Sequence, residues 1–177
     1  MLWGEDVLAG MKAGGTASEA VSEVTAADPR REWRQLAALD RSGGGGVFSG
    51  RQNGAFVQHL VEDDLVVAGN ILANDRVLTQ MMDGFQNGRG DLADRLLAAL
   101  RSGAKAGGDS RGLMSAAMLI VAQGKPTLTL RVDYDEKPID KLESLLARTR
   151  DPAYSQWLDV LPTIDQPHGV GASKKSV

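Results

Sequence analysis

The chain has 177 residues, of which 42% are hydrophobic and 24% charged, and its formal net charge is -3 at pH 7. These values are typical of one globular domain and exclude a strongly basic nucleic-acid-binding surface. No run approaches the ~20 apolar residues of a membrane helix, and no signal peptide is visible, so we expect a cytoplasmic protein without nucleic-acid or membrane partners. There is no cysteine, and the 2 histidines lie far apart in sequence, so we expect no metal site and no cofactor.

Two helices are predicted at the start of the chain. The first has an apolar face and ends at Gly14-Gly15. The second begins with the capping box Thr16-Ala17-Ser18-Glu19 and ends at Asp28-Pro29, because the residue before proline avoids the helical region.

Three strands are predicted next. Glu32 to Leu39 and a strand starting at Val47 form a hairpin around a turn that contains the glycine run Gly43 to Gly46. We interpret this run as a flexible hairpin tip, because no helix begins after it as a phosphate site requires. Leu65 to Ala68 is a buried strand followed by Gly69-Asn70.

The second half of the chain has the pattern helix, helix, strand, strand, helix. Asn74 and Asp91 are the predicted N-caps of the two helices. Met114 to Val121 and Thr127 to Val132 form another hairpin. Pro138 fits the first turn of the last helix.

Helices segregate from antiparallel hairpins in this order, which is the pattern of an α+β fold. We assign residues 1–165 to a single domain and expect residues 166–177 to be a disordered tail. The expected packing stacks sheets between helical layers.

The run Gly107 to Gly112 joins a helix to an apolar strand through a polar turn. Its glycine spacing is that of a phosphate-binding loop, but no Lys-Ser/Thr follows it and the element order is reversed. Asp109 and Arg111 either pair with each other or present the guanidinium to a carboxylate. Ser115 either faces an active site or bonds to a neighbouring strand.

Asn70 and His59 are two further candidate site residues. An asparagine at the end of a buried strand is costly unless its amide is satisfied, so Asn70 either caps the adjoining turn or stabilises an oxyanion. His59 is either a proton shuttle or a structural residue at a strand edge. The chain has no Gly-x-Ser-x-Gly motif, and spacing alone assembles no Ser-His-Asp triad.

Five strings together resemble the bacterial family called domain of unknown function 1028, over the span from Gly4 to Arg148. In chain order they are Ala26-Ala27-Asp28-Pro29, Ala68-Gly69-Asn70-Ile71-Leu72, Gly90-Asp91-Leu92-Ala93, Gly107-Gly108-Asp109-Ser110-Arg111-Gly112 with Ser115-Ala116-Ala117, and Leu130-Arg131-Val132-Asp133. The resemblance implies the N-terminal-nucleophile hydrolase superfamily, its four-layer αββα sandwich, and hydrolysis of amide (C–N) bonds.

The resemblance also implies that this chain departs from its relatives. Family members usually have a longer amino end that supplies the first strands and a Thr or Ser nucleophile, whose own amine is the base. By the resemblance this chain lacks those strands and that nucleophile, so it is either an amidohydrolase that needs the missing segment or an inactive derivative. Ala68 and Met114 stand where glutamine is expected. The implied site consists of the catalytic candidates Asn70, Asp109, Arg111 and Ser115 and the substrate-binding candidate His59.

Three functions remain open from the sequence. The first is an amidohydrolase that acts on a small-molecule amide. The second is a non-catalytic protein, derived from the same fold, that binds a small molecule or a partner. The third is a structural homo-oligomer, because an unpaired sheet edge tends to pair with another chain.

Overall fold

A computed structural model describes residues 2–123, 125–158, 160–162 and 167–168. The chain divides into two compact units. The first is Met1–Arg89 with Ala98–Gly112, and the second is Gly90–Leu97 with Leu113–Val177. Apart from Pro167 and His168, the predicted tail lies outside the described residues.

The elements are those of a mixed α+β protein, as predicted. The helices of the described residues are α1 (Trp3–Lys12), α2 (Ala17–Ala26), α3 (Val77–Asn87), α4 (Leu92–Lys105), α5 (Pro138–Thr149) and α6 (Pro152–Leu158). The strands are β1 (Gln35–Leu39), β2 (Gly45–Ser49), β3 (Gln58–Glu62), β4 (Leu65–Gly69), β5 (Ala116–Ile120) and β6 (Leu128–Val132). They form two-stranded antiparallel sheets, β1–β2, β3–β4 and β5–β6. No helix of the described part is long and apolar enough to cross a membrane.

In the first unit, the two faces of β2 contact different elements. A Cβ atom added to Gly46 would lie 2.3 Å from the carbonyl oxygen of Ala17, in the first turn of α2. A Cβ atom added to Gly45 would lie 2.6 Å from Val61 and 2.7 Å from Val66. Because successive strand residues point to opposite faces, α2 covers one face of β2 and the β3–β4 hairpin covers the other.

The β3–β4 hairpin is covered on its far side by α3. Val66 faces β2, whereas its neighbour Val67 is buried in a hydrophobic cluster. The other buried members of this cluster are Leu72, Val77, Leu78 and Met82. Val7 of α1 packs in a second cluster with Ala20 and Val21 of α2. The first unit therefore stacks, in order, two helices, two hairpins and α3.

Two predicted helix starts are confirmed. The Thr16 hydroxyl accepts the N–H of Glu19 at 3.2 Å, and the Glu19 carboxylate accepts the N–H of Thr16 at 2.9 Å, which is a reciprocal capping box. Asp91 accepts the N–H of Asp94 at 3.1 Å at the start of α4. These bonds satisfy N–H groups that the first helical turn leaves without helical partners.

The predicted N-cap of α3 is wrong. Arg76 occupies that position, and Asn74 accepts its N–H at 3.0 Å. The Asn74 side chain instead donates to the carbonyl of Ala106 at 2.7 Å. Its carboxamide therefore ties the start of α3 to the end of α4.

The strand prediction also needs correction. The sequence predicted no strand at β3, because Gln58, His59 and Glu62 interrupt its apolar residues. In the structure β3 pairs along its whole length with β4. The first strand begins at Gln35 instead of Glu32, because Arg31–Trp33 form a 3₁₀ turn.

The second unit contains the β5–β6 hairpin, which packs against α5. The buried side chains of this hairpin and of α5 include Met118, Leu130, Val132, Leu142 and Leu146. Pro138 lies in the first turn of α5, as predicted. Leu119 points away from this core and is 64% exposed.

Candidate functional site

A strained turn follows β4 in the first unit. Ile71 has φ 53°, in the left-handed region that a β-branched residue rarely adopts. Its carbonyl accepts the N–H of Ser110 at 2.9 Å, and the N–H of Leu72 donates to the carbonyl of Phe56 at 3.1 Å. Non-glycine residues in this conformation are often found at functional sites, which makes the turn after Asn70 a candidate.

The polar turn from Gly107 to Gly112 lies beside this strained segment. Leu72 and Asp109 form an isolated antiparallel bridge. The N–H of Ala73 donates to the carbonyl of Gly108 at 2.9 Å. Two segments that the sequence singled out independently are thus hydrogen-bonded to each other.

Asp109 and Arg111 pair with each other, which is one of the two arrangements left open by the sequence. Arg111 Nε lies 3.0 Å from Asp109 Oδ1, and Nη2 lies 2.7 Å from Oδ2. The backbone N–H of Arg111 adds a third bond to Oδ1 at 2.8 Å. The side-chain hydrogen bonds from Arg111, followed by its backbone N–H, lower the pKa of Asp109 to about 2.

The carboxamide of Asn70 bonds across to β1. Its Nδ2 donates to Gln35 Oε1 at 3.1 Å. Gln35 Nε2 in turn lies 2.8 Å from Ser49 Oγ, 3.0 Å from the carbonyl of Gln58 and 3.2 Å from that of Gly69. Gln35 therefore joins the ends of both hairpins of the first unit.

His59 is exposed on β3 and extends this chain of side chains, because its Nδ1 lies 3.0 Å from Ser49 Oγ. Gln35 and Ser49 were not singled out from the sequence. They are direct partners in the β1–β2 register, and only that pairing brings them together. The signal available in the sequence is a polar residue at the start of β1 and another at the end of β2, which antiparallel pairing brings opposite each other.

Asn70 and Gln35 line an open depression of about 370 Å³. Asn53 and Trp33 also line it, and Trp33 is 67% exposed. Three carboxamides supply hydrogen-bond donors and acceptors, and the indole supplies a flat apolar surface. This combination suits a small ligand that itself contains an amide.

Ser115 belongs to the second unit, where it is exposed immediately before β5. Asp109 and Arg111 belong to the first unit. Within the described residues, no three acidic or histidine side chains are grouped so that they could hold a metal ion.

The chain is similar to known proteins of a single family. The signature of the "Family of unknown function (DUF1028)" matches residues 1–142. A crystal structure of a DUF1028 protein from Silicibacter pomeroyi matches with a TM-score of 0.88 and 34% sequence identity, over 96% of this chain and 74% of that chain. No protein of curated function matches. With its sequence signature and its fold both matched in this way, the chain belongs to the DUF1028 family.

Proposed function

We propose that the chain acts in the hydrolysis of amide (C–N) bonds as a member of the N-terminal-nucleophile hydrolase superfamily, and that Asn70 is its oxyanion donor. The order of layers in the first unit supports this assignment, because helices, hairpin, hairpin and helix follow the αββα order of that superfamily. The observation that carries the proposal is the bond from Asn70 Nδ2 to Gln35 Oε1 at 3.1 Å.

That bond fixes the direction of the Asn70 carboxamide. One N–H of Nδ2 donates to Gln35, and the same nitrogen carries a second N–H. Asn70 also lines the open depression, so we assign this second N–H to the ligand. A donor that is held in place before the reaction stabilises the negative charge that develops on an amide oxygen during attack.

The remaining lining residues supply substrate binding. Asn53 and Gln35 can bond to the polar groups of an amide, and Trp33 can cover its apolar part. Asp109 and Arg111 neutralise each other beside the turn that carries Asn70. We therefore assign them to holding that turn in place.

A non-catalytic binding protein is the second candidate. In the superfamily the nucleophile is a Thr, Ser or Cys whose own amine acts as base. A binding protein needs no such nucleophile, because the donors, acceptors and apolar surface of the depression are enough to hold an amide. Both candidates use the same depression and the same Asn70.

A panel of N-acyl p-nitroanilides distinguishes the two candidates. Release of nitroaniline establishes the hydrolase, and Asn70→Ala should then lower the rate about 100-fold, the usual effect of losing one oxyanion donor. The matched control is Asn87→Ala, which removes an exposed asparagine that donates to the Asp83 carbonyl within α3. Saturable binding without release establishes the non-catalytic candidate, and absence of both binding and release overturns both.

A further inference from the structure

We propose that Ser49 and His59 form a nucleophile–base pair that hydrolyses small carboxylic esters, independently of the function proposed for Asn70. Ser49 is half-buried at the end of β2, and His59 is exposed on β3. Their Oγ and Nδ1 atoms lie 3.0 Å apart, which is the distance required for transfer of the hydroxyl proton.

The neighbouring side chains are arranged so that the Ser49 hydroxyl can donate to His59. Gln35 Nε2 donates to Ser49 Oγ at 2.8 Å and so occupies one lone pair of the hydroxyl oxygen. The carbonyls of Gln58 and Gly69 also accept from Gln35 Nε2, which fixes the orientation of the Gln35 amide. The Ser49 hydroxyl donates to Nδ1 in the His59 tautomer that carries its proton on Nε2, as activation of a serine requires. Gln35 is thus a positioning residue.

A cavity of about 420 Å³ contains both groups. Val57 and Leu60 give part of its wall an apolar surface that can hold an acyl chain. This volume falls within the range of small-molecule sites.

The two backbone amides that follow Ser49 already have partners. The N–H of Gly50 is bonded to the carbonyl of Arg34 at 2.9 Å, and that of Arg51 to Glu32 Oε2 at 3.0 Å. Arg51 and Thr79, whose side chains carry hydrogen-bond donors, line the same cavity, and we assign the oxyanion to them. A site with these donors suits an ester, whose alcohol leaves more readily than an amine.

The reaction proceeds in two balanced steps. Ser49 Oγ bonds to the ester carbonyl carbon while its proton passes to His59 Nδ1; the bond from that carbon to the alkoxy oxygen then breaks, and the alcohol leaves with the proton. Water next attacks the acyl carbon and gives a proton to His59, which returns it to Ser49 as the carboxylic acid departs.

An alkyl fluorophosphonate probe, located by peptide mass spectrometry, tests the pair. We expect the probe to modify Ser49, and His59→Gln to slow the modification about 100-fold, the usual contribution of a general base. Gln35→Ala is expected to slow it as well, with the same site of modification. The matched controls are Ser18→Ala and His168→Gln, which alter other exposed residues of the same types and should leave the rate at Ser49 unchanged.

Circular dichroism and thermal unfolding of each variant separate loss of the pair from loss of the fold. Modification of Ser49 no faster than that of Ser18 in the wild-type chain would overturn the proposal. An unchanged rate in a folded His59→Gln variant would do the same. The probe reports on Ser49 and the anilide assay on Asn70, so failure of one proposal leaves the other standing.

Discussion

The Asp109 carboxylate and the Arg111 guanidinium form a two-point ion pair, with nitrogen–oxygen distances of 3.0 and 2.7 Å. They lie two residues apart on one tight turn and hold each other through these two bonds. The pair is therefore a structural support for the turn that bonds to Leu72 and Ala73.

This pair predicts a pH dependence of stability. The folded-state pKa of Asp109 is about 2, below its ordinary value of 3.8, so its contribution is complete above the ordinary value and is lost as the pH falls from about 4 through about 2. We expect carbon-13 NMR to show this low titration midpoint, and Arg111→Met to raise it toward the ordinary value. A wild-type midpoint near 3.8 contradicts the prediction.

Gly46→Ala is expected to destabilise the protein. The new Cβ would lie 2.3 Å from the backbone oxygen of Ala17, so α2 and β2 must separate. Overpacking of this kind costs about 1–3 kcal/mol in the free energy of unfolding, measured by urea denaturation. The control is Gly4→Ala in α1, where a Cβ meets no atom within 4 Å. There alanine should be neutral or should stabilise the helix by up to about 1 kcal/mol. Equal effects of the two substitutions would refute the packing argument.

Ile71→Asn should lower the free energy of unfolding less than the loss of a half-buried aliphatic side chain usually does. Asparagine adopts the left-handed conformation readily, so the substitution relieves about 1 kcal/mol of backbone strain that offsets the lost burial. The control is Ile120→Asn in β5, which removes a similarly half-buried side chain but relieves no backbone strain. We expect thermal unfolding to show the larger destabilisation for Ile120→Asn, and the opposite order argues against strain at Ile71.

Arg150 joins the end of α5 to the start of α4 within the second unit. Its Nη1 lies 2.7 Å from Asp94 Oδ1, and its Nη2 lies 3.0 Å from the Asp91 carboxylate. The hydrogen bond from Arg150 is the main cause of the lowered pKa of Asp94. All three side chains are partly exposed, so we expect Arg150→Met to cost about 1 kcal/mol or less.

Salt provides the check on this ion-pair network. Because exposed charges are screened, the difference between wild type and Arg150→Met should shrink in concentrated sodium chloride. Arg148→Met alters an exposed arginine of the same helix and serves as the control. A difference that does not change with salt would point to lost packing instead of lost charge.

The sequence predicts the elements whose ends are marked by local chemistry. The Thr16–Glu19 capping box and Pro138 each determine a helix start through neighbouring residues alone. The β3 strand has no such mark, because three of its five side chains are polar, and the strand exists because β4 pairs with it. The predicted N-cap role of Asn74 is wrong for a related reason, because its side chain bonds to Ala106, which lies far along the chain.

The candidate site was predictable in part. Asn70, Asp109 and Arg111 stood out because polar residues beside glycines and apolar strands need an explanation. Their contact through the Ile71–Ala73 segment depends on tertiary packing, which no local pattern encodes. Gln35 stayed unnoticed because nothing near it in sequence shows that one carboxamide bonds to both hairpins.

The first unit is not continuous in sequence, because Gly90–Leu97 belong to the second. During synthesis both amino-terminal hairpins leave the ribosome well before Gly108 and Ser110, whose backbone groups hold the Ile71 turn. The left-handed conformation at Ile71 is therefore held by these bonds only after Gly108 and Ser110 have been synthesised. Nascent chains stalled before Gly107 should carry the hairpins and the Asn70–Gln35 bond without a fixed Ile71 turn, so this turn matures later than the layers around it.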